Sequence, residues 1–236
     1  RVPSSPLTEI YTNPSAKPCA RRASNDAGKR QGKPMDQELF DRLAIRELVE
    51  NWVLWRDAGF WEKFRTCWHD DGVMMATWTQ GTGDEFIEIT KKGFYDDSSI
   101  LHFLGGTTIE LNGDRAIVQT KMTISQRAPV HEVWVDVVCT GRFYDFIEKR
   151  AGDWRVRLRQ PIYEKDRIDP IEQGATLDLN PDILALYPKG YQHLAYLQSG
   201  LGFEVKRNMP GLLGERVEKL YAAGAAWLDG GPINWS

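Results

Sequence analysis

The sequence predicts an α+β domain in which N-terminal helices back a curved antiparallel sheet, and three observations carry that prediction. Apolar residues recur at helical spacing over the first part of the folded region, and long strand-like runs fill the second part. Between two of those runs stands Asn112-Gly113, a dipeptide suited to a tight hairpin because both of its residues tolerate positive φ. Helices first and hairpin-connected strands afterwards is the order of an α+β layer, with the helices on one face of the sheet and a cavity between the two.

Residues 1–34 stand apart from the rest. They hold five prolines and seven basic residues against only Glu9 and Asp26, and so little apolar surface cannot offset the chain entropy of ordering them. This segment is expected to be a disordered leader or arm. From Asp36 onward Leu39, Phe40, Leu43, Leu48, Val49, Trp52, Val53 and Trp55 predict a long amphipathic helix that ends near Asp57-Ala58-Gly59. A short helix from Trp61 to Trp68 comes next. Asp70-Asp71-Gly72 is turn chemistry, Val73 to Trp78 reads as a strand, and Asp84 to Phe94 has the spacing of a third helix. Strands are then expected over 101–111, 115–125, 131–148 and 154–163, which closes a domain of residues 35–165. Residues 166–236 form a helical C-terminal extension, with helices over 181–198 and 210–228; these either pack on the domain as a lid or dock on a second subunit.

Composition narrows the function classes. A chain of 236 residues, 42% hydrophobic and 27% charged, can bury a sizeable core, and a net charge of −3 offers no concentrated basic surface for nucleic acid. No apolar stretch approaches the ~18 residues of a membrane span, so no membrane partner is expected. Three cysteines (Cys19, Cys67, Cys139) cannot pair completely and lack metal-binding spacing, which points to a reducing, cytoplasmic setting. No metal and no cofactor are expected, because neither H-x-x-x-H nor H-E-x-x-H occurs.

Four histidines are available for chemistry. His69 precedes a turn and reads as a surface or capping residue; His131 and His193 have no partner nearby in sequence. His102 differs, because it opens the apolar strand Leu101-His102-Phe103-Leu104, where an imidazole is partly desolvated and needs a hydrogen-bond partner. Asp57, at the end of an apolar helix, is the natural one. A carboxylate on one ring nitrogen fixes the tautomer and raises the basicity of the other. The competing reading has Asp57 capping its helix or pairing with Arg56.

The segment from Arg56 to Phe64 resembles the helix-end motif of scytalone dehydratase and its SnoaL-like relatives in the nuclear transport factor 2-like superfamily. His102-Phe103-Leu104-Gly105-Gly106-Thr107 looks like the catalytic-histidine strand of that enzyme, and residues 132–154 are similar to its long C-terminal hairpin. The resemblance covers about residues 36–165. It implies a cone-shaped curved sheet around a small-molecule pocket and an Asp–His dyad. The dehydrochlorinase and bile-acid dehydratase relatives add an arginine on the last strand, to which Arg159 is similar in position; Arg155, Arg157 and Arg159 also alternate as on any half-exposed strand. Trp52, Arg56, Ser125, Gly141 and Phe143 depart from the family's pocket residues, so no specific family reaction is implied. The resemblance implies a cofactor-independent lyase, dehydratase-like, or an isomerase on a small apolar, cyclic or aromatic substrate. In it His102 is the base, Asp57 its orienter and Arg159 the stabiliser of developing charge; by residue type, the aromatic Trp52, Trp55, Trp78, Phe103, Trp134 and Phe143 are the candidates to line the pocket. The alternative is a noncatalytic binding module or an accessory subunit similar to the β subunit of ring-hydroxylating dioxygenases. A homodimer or homotrimer is expected, since the open sheet face would expose apolar surface.

Overall fold

Burial along the first helix follows one stripe: Asp41, Ile45, Leu48, Val49, Trp52, Val53 and Arg56 are buried at steps of three and four residues. This helix, α1 (Met35–Asp57), belongs to a computed structural model that describes residues 35–94 and 99–235. The N-terminal arm read from the sequence lies outside the described residues. Leu39, Phe40 and Leu43, which periodicity places on the apolar stripe, are more than half exposed, because they lie off the face of α1 that Asp41 and Ile45 turn to the sheet.

The chain continues through α2 (Trp61–Arg65), β1 (Trp68–Met75), β2 (Gln80–Thr82) and α3 (Gly83–Phe94) into four long strands: β3 (Ser99–Asn112), β4 (Arg115–Val130), β5 (Val133–Arg150) and β6 (Asp153–Pro170). The six strands form one sheet in the order β2-β1-β6-β5-β4-β3. The β3 to β6 meander is antiparallel as predicted, with the Asn112-Gly113 turn in place (Gly113 φ 62°). The sheet as a whole is mixed, because β1 joins β6 in parallel. Asp70-Asp71-Gly72 is not a connecting turn but an irregularity inside β1, where the register against β6 slips between Trp68 and Val73.

Two irregularities in β6 decide which side chains face the helices. Between the pairs Ile147↔Val156 and Phe146↔Leu158 one extra residue, Arg157, is accommodated; between Gly141↔Tyr163 and Thr140↔Lys165 the extra residue is Glu164. Trp154 and Val156 therefore pack with α1, Leu158 turns to the opposite face, and Arg159 turns back inward. A regular strand would have placed Arg159 with Arg155 and Arg157 on the exposed side. Gly141 permits the second irregularity, since a Cβ there would meet the Ile162 carbonyl oxygen at 2.0 Å.

The C-terminal extension wraps both faces of its own sheet. The predicted helix over 181–198 is broken at Pro188-Lys189-Gly190 into α4 (Pro181–Leu184) and α5 (Gln192–Gly200). α5 joins the main core on the concave face through Leu194, Ala195, Tyr196 and Leu197. α6 (Glu215–Leu228) crosses to the other face, where Val217, Leu220 and Trp227 build a second core with Met75, Ile117, Tyr144, Phe146, Leu158 and Ile162. Gly224 lets α6 approach closely: a Cβ at that position would lie 2.0 Å from the Tyr144 hydroxyl. The sheet face expected to be open to a symmetric mate is thus covered over this area by the chain's own helix. No helix among the described residues is long and apolar enough to cross a membrane.

Candidate functional site

β3 is an edge strand, and its outward backbone groups need partners. The end of α1 supplies them. Arg56 Nη1 donates to the Ile100 carbonyl at 2.9 Å, and the Asp57 carboxylate accepts from the His102 backbone N–H at 2.5 Å. Two consecutive side chains thus satisfy the strand edge much as a further strand would. The other Asp57 oxygen receives His102 Nδ1 at 2.8 Å and Arg56 Nη1 at 3.1 Å. The pairing fixes the proton on Nδ1 and leaves Nε2 as the basic nitrogen, with no hydrogen bond to it among the described residues.

Electrostatics follow from this geometry. Burial would raise the Asp57 carboxyl, but its hydrogen bond and charge interaction with His102, joined by Arg56, outweigh burial and hold it below the usual carboxylate range. Burial pulls the His102 imidazole below its ordinary value; Asp57 opposes this, while the positive charges of Arg56 and Arg159 add to it. His102 is therefore neutral near pH 7, the form in which Nε2 can accept a proton. Desolvation lowers Arg56 as well, with Asp57 holding the charge in place.

His102 faces a small inner chamber of about 30 Å³, walled among others by Trp52, Trp78, Phe86, Phe143 and Tyr163. That is room for about one water-sized group. A cavity of about 630 Å³ lies beside it, within the range of small-ligand sites. Arg56, Trp78, Ile100, Gln126 and Gln198 line both and form the wall between them. Gln198 comes from α5, accepts from Thr77 Oγ1 at 2.7 Å and donates to Gln126 Oε1 at 3.4 Å. The extension is part of the site wall.

The structure brings Asp57, His102, Trp52, Trp78 and Phe143 to these cavities and leaves other predicted residues away from them. Phe103 is 78% exposed on the outer side of β3, and Trp134, near the start of β5, is 37% exposed. Trp55 faces a separate groove with Trp154 and Cys67. Arg159 lines neither cavity. It is fully buried, held by Asp145 through two 2.7 Å bonds, and sandwiched with its guanidinium carbon 4.1 Å from the Trp52 ring centre and 4.2 Å from that of Phe143. It meets the site only through those rings and its field. His69, expected near the surface, is buried, with Nε2 bonded to the Glu148 carbonyl oxygen at 2.9 Å. A second Asp–His pair, Asp166 with His193 Nδ1 at 2.9 Å, also takes the backbone N–H groups of His193 and Leu194 and so caps α5.

Sequence reasoning missed Tyr163, Gln126, Gln198 and Thr90 as wall residues. Tyr163 is 2% exposed and bonded to Thr77; burial raises its phenol well above the ordinary value, so it keeps its proton. The Arg157 irregularity in β6 gives it this inward phase, as it does Arg159, and no local pattern announces that. Among the described residues no group of three or more His, Cys, Asp or Glu side chains is arranged to hold a metal ion.

Comparison with known proteins agrees with this architecture. The chain is 34% identical over 209 residues to pea pathogenicity protein 2 of Fusarium vanettenii, covering 84% of this chain and 90% of that protein. It is 35% identical over 215 residues to an uncharacterized protein of Emericella nidulans, with the same two shares. Among solved structures, that of hexachlorocyclohexane dehydrochlorinase (LinA) Type2 superposes with a TM-score of 0.50 at 12% identity, over 61% of this chain and 97% of that one, a likeness of fold. The SnoaL-like domain profile matches residues 37–160, from the first turn of α1 into β6. With a neutral histidine held by a helix-end carboxylate inside a curved sheet, and with that match over more than half its length, the chain belongs to the SnoaL-like domain family.

Proposed function

We propose that the protein is a cofactor-independent lyase or isomerase that takes a proton from carbon in a small, largely apolar cyclic or aromatic substrate. The observation that carries this reading is the Asp57 carboxylate spanning the His102 Nδ1 and backbone N–H, which leaves Nε2 basic at the wall of the inner chamber. The ring of the substrate occupies the larger cavity and its reacting end reaches past the shared wall to His102. His102 Nε2 removes the proton alpha to a carbonyl, and the C–H electrons form the enolate or, in elimination, the new C=C bond as the leaving oxygen departs with its pair. Imidazolium then returns the proton, either to the leaving hydroxyl, releasing water, or to another carbon, completing isomerisation. Tyr163 keeps its proton and donates to oxygen in the chamber, where no lysine or tyrosine stands one turn before Asp57. Arg159 acts from behind Trp52 and Phe143 as a fixed positive charge that keeps His102 neutral and favours developing negative charge.

The test is proton exchange in D2O with a panel of cyclic ketones and β-hydroxy carbonyl compounds, followed by NMR. Wild type should place deuterium at the activated carbon, and His102→Asn should lose about 10² to 10⁴ of that rate. Exchange that is unchanged in His102→Asn and Asp57→Asn ends the dyad reading. A second reading, a binding module whose Asp57–His102 pair only seals the β3 edge, is favoured by the narrowness of the inner chamber; tight binding without exchange would select it. Either reading accommodates a homodimer or homotrimer on the sheet surface that α6 leaves free, where Leu101 and Phe103 are exposed.

A further inference from the structure

Arg56 and Thr90 are each 5% exposed, and both line the larger cavity. Arg56 commits Nη1 to Asp57 and to the Ile100 carbonyl. Its Nε finds no hydrogen-bond partner among the described residues, nor does Thr90 Oγ1. Nη2 likewise enters none of the bonds that hold this guanidinium. Nε and Nη2 form one edge of the guanidinium plane, and that edge matches the two oxygens of a carboxylate side-on. A buried Nε–H left unspent costs free energy unless something else satisfies it, and with Nη2 beside it on the same edge, its place in a residue of the cavity wall calls for a ligand acceptor.

Charge and shape narrow the acceptor. Among the described residues lining the cavity, Arg56 and the exposed Lys92 oppose the single carboxylate of Asp57, which leaves a positive balance. The rest of the wall is largely apolar or aromatic, with Trp78, Ile89, Phe94, Leu201 and Phe203. A phosphate would need more donors than this wall presents, and a neutral carbonyl would use only one of the two paired N–H groups. We propose that the cavity is built for the carboxylate of an aromatic or alicyclic acid, anchored side-on by the Nε–Nη2 edge of Arg56 with Thr90 as a further hydrogen-bond partner and Lys92 at the rim. This deepens the functional reading, since it rests on the larger cavity being the substrate pocket; it names the acid as the substrate class and places its ring against Trp78 and Phe203.

The probes are 1-naphthoate and its uncharged isostere 1-naphthamide, titrated calorimetrically against the full chain and checked by quenching of tryptophan fluorescence. Wild type should bind naphthoate about ten- to a hundred-fold more tightly than naphthamide. Arg56→Lys keeps the charge but lacks the paired edge, and should lose most of that preference. Lys92→Met alters only the exposed rim, so folding is not at stake, and should weaken naphthoate a few-fold in a salt-dependent way. Equal binding of the two probes by wild type overturns the proposal. So does undiminished preference in Arg56→Lys or, should that variant not fold, in Lys92→Met. Failure of proton exchange with the naphthoate preference intact sinks the catalytic reading and leaves this one standing.

Discussion

Asp57→Asn is the most informative single change, because the carboxylate serves three donors and an amide has only one acceptor oxygen. If that oxygen stays on the His102 backbone N–H, the amide NH2 faces His102 Nδ1 and Arg56 Nη1. The imidazole then moves its proton to Nε2 so that Nδ1 can accept, and the nitrogen facing the chamber ceases to be a base. Arg56, buried and now paired only with the Ile100 carbonyl, becomes an uncompensated cation. Breaking one partner of a buried ion pair costs about 3 to 5 kcal/mol, and the retained backbone bond puts the expectation near the lower figure. For a chain of this size that corresponds to a fall of about 6 to 12 °C in melting temperature. Thermal unfolding by circular dichroism reads the stability, and imidazole ¹⁵N chemical shifts read the tautomer without any substrate. A melting temperature within about 2 °C of wild type together with an unmoved Nδ1 proton would refute this account of the dyad.

The Arg159–Asp145 pair should behave as a unit: Arg159→Met alone strands a fully buried carboxylate and costs about 3 to 5 kcal/mol, whereas Arg159→Met with Asp145→Leu costs clearly less, as a urea double-mutant cycle will show. Gly224→Ala should cost about 1 to 3 kcal/mol through contact with the Tyr144 hydroxyl, and Tyr144→Phe should recover part of it because the ring carbon at 2.9 Å remains; chemical denaturation of both variants is the check. Acid sensitivity follows from the dyad. The lowered His102 value means the unfolded chain takes up a proton first, so stability declines as pH falls below about 6.5; the lowered Asp57 value means its contribution is lost further down, as pH passes through the folded carboxyl's own depressed value. The rate of any His102-dependent exchange should hold its plateau below pH 6.5, and an acid limb centred above that value would contradict the assignment.

Much of this molecule is legible from residue patterns, and the exceptions have physical causes. The order of helices and strands and the Asn112-Gly113 turn follow from periodicity and turn chemistry, while the partnership of Asp57 with His102 is legible once the resemblance to SnoaL-like motifs is joined to a carboxylate at a helix end and a histidine in an apolar strand. Pairing between distant segments leaves no such mark. Nothing local says that β1 runs parallel to β6 or that α6 crosses to the far face, whereas the break at Pro188-Lys189-Gly190 does carry a local mark in its proline and glycine. Aromatic residues were assigned to the pocket by type, and type does not distinguish Phe143, inside the chamber, from Phe103, out in solvent, since facing depends on strand phase. Arg56 stood in the sequence only as a departure from related pockets; its burial and its free edge emerge once α1 meets β3.

Arg157 has a consequence of its own. Because it is the surplus residue in β6, the strand amounts to two short strands in opposite phase joined at one position, and the surplus keeps Arg159 opposite Asp145. Deleting Arg157 would straighten the ladder and leave everything beyond it facing as it does now, at the loss of that residue's surface bonds to Asp71 and Glu148. Inserting one more residue beside it would swing Arg159 toward α6 and turn Leu158 toward a buried carboxylate. The strand tolerates a change of length in one direction only, an asymmetry that side-chain chemistry alone would not reveal.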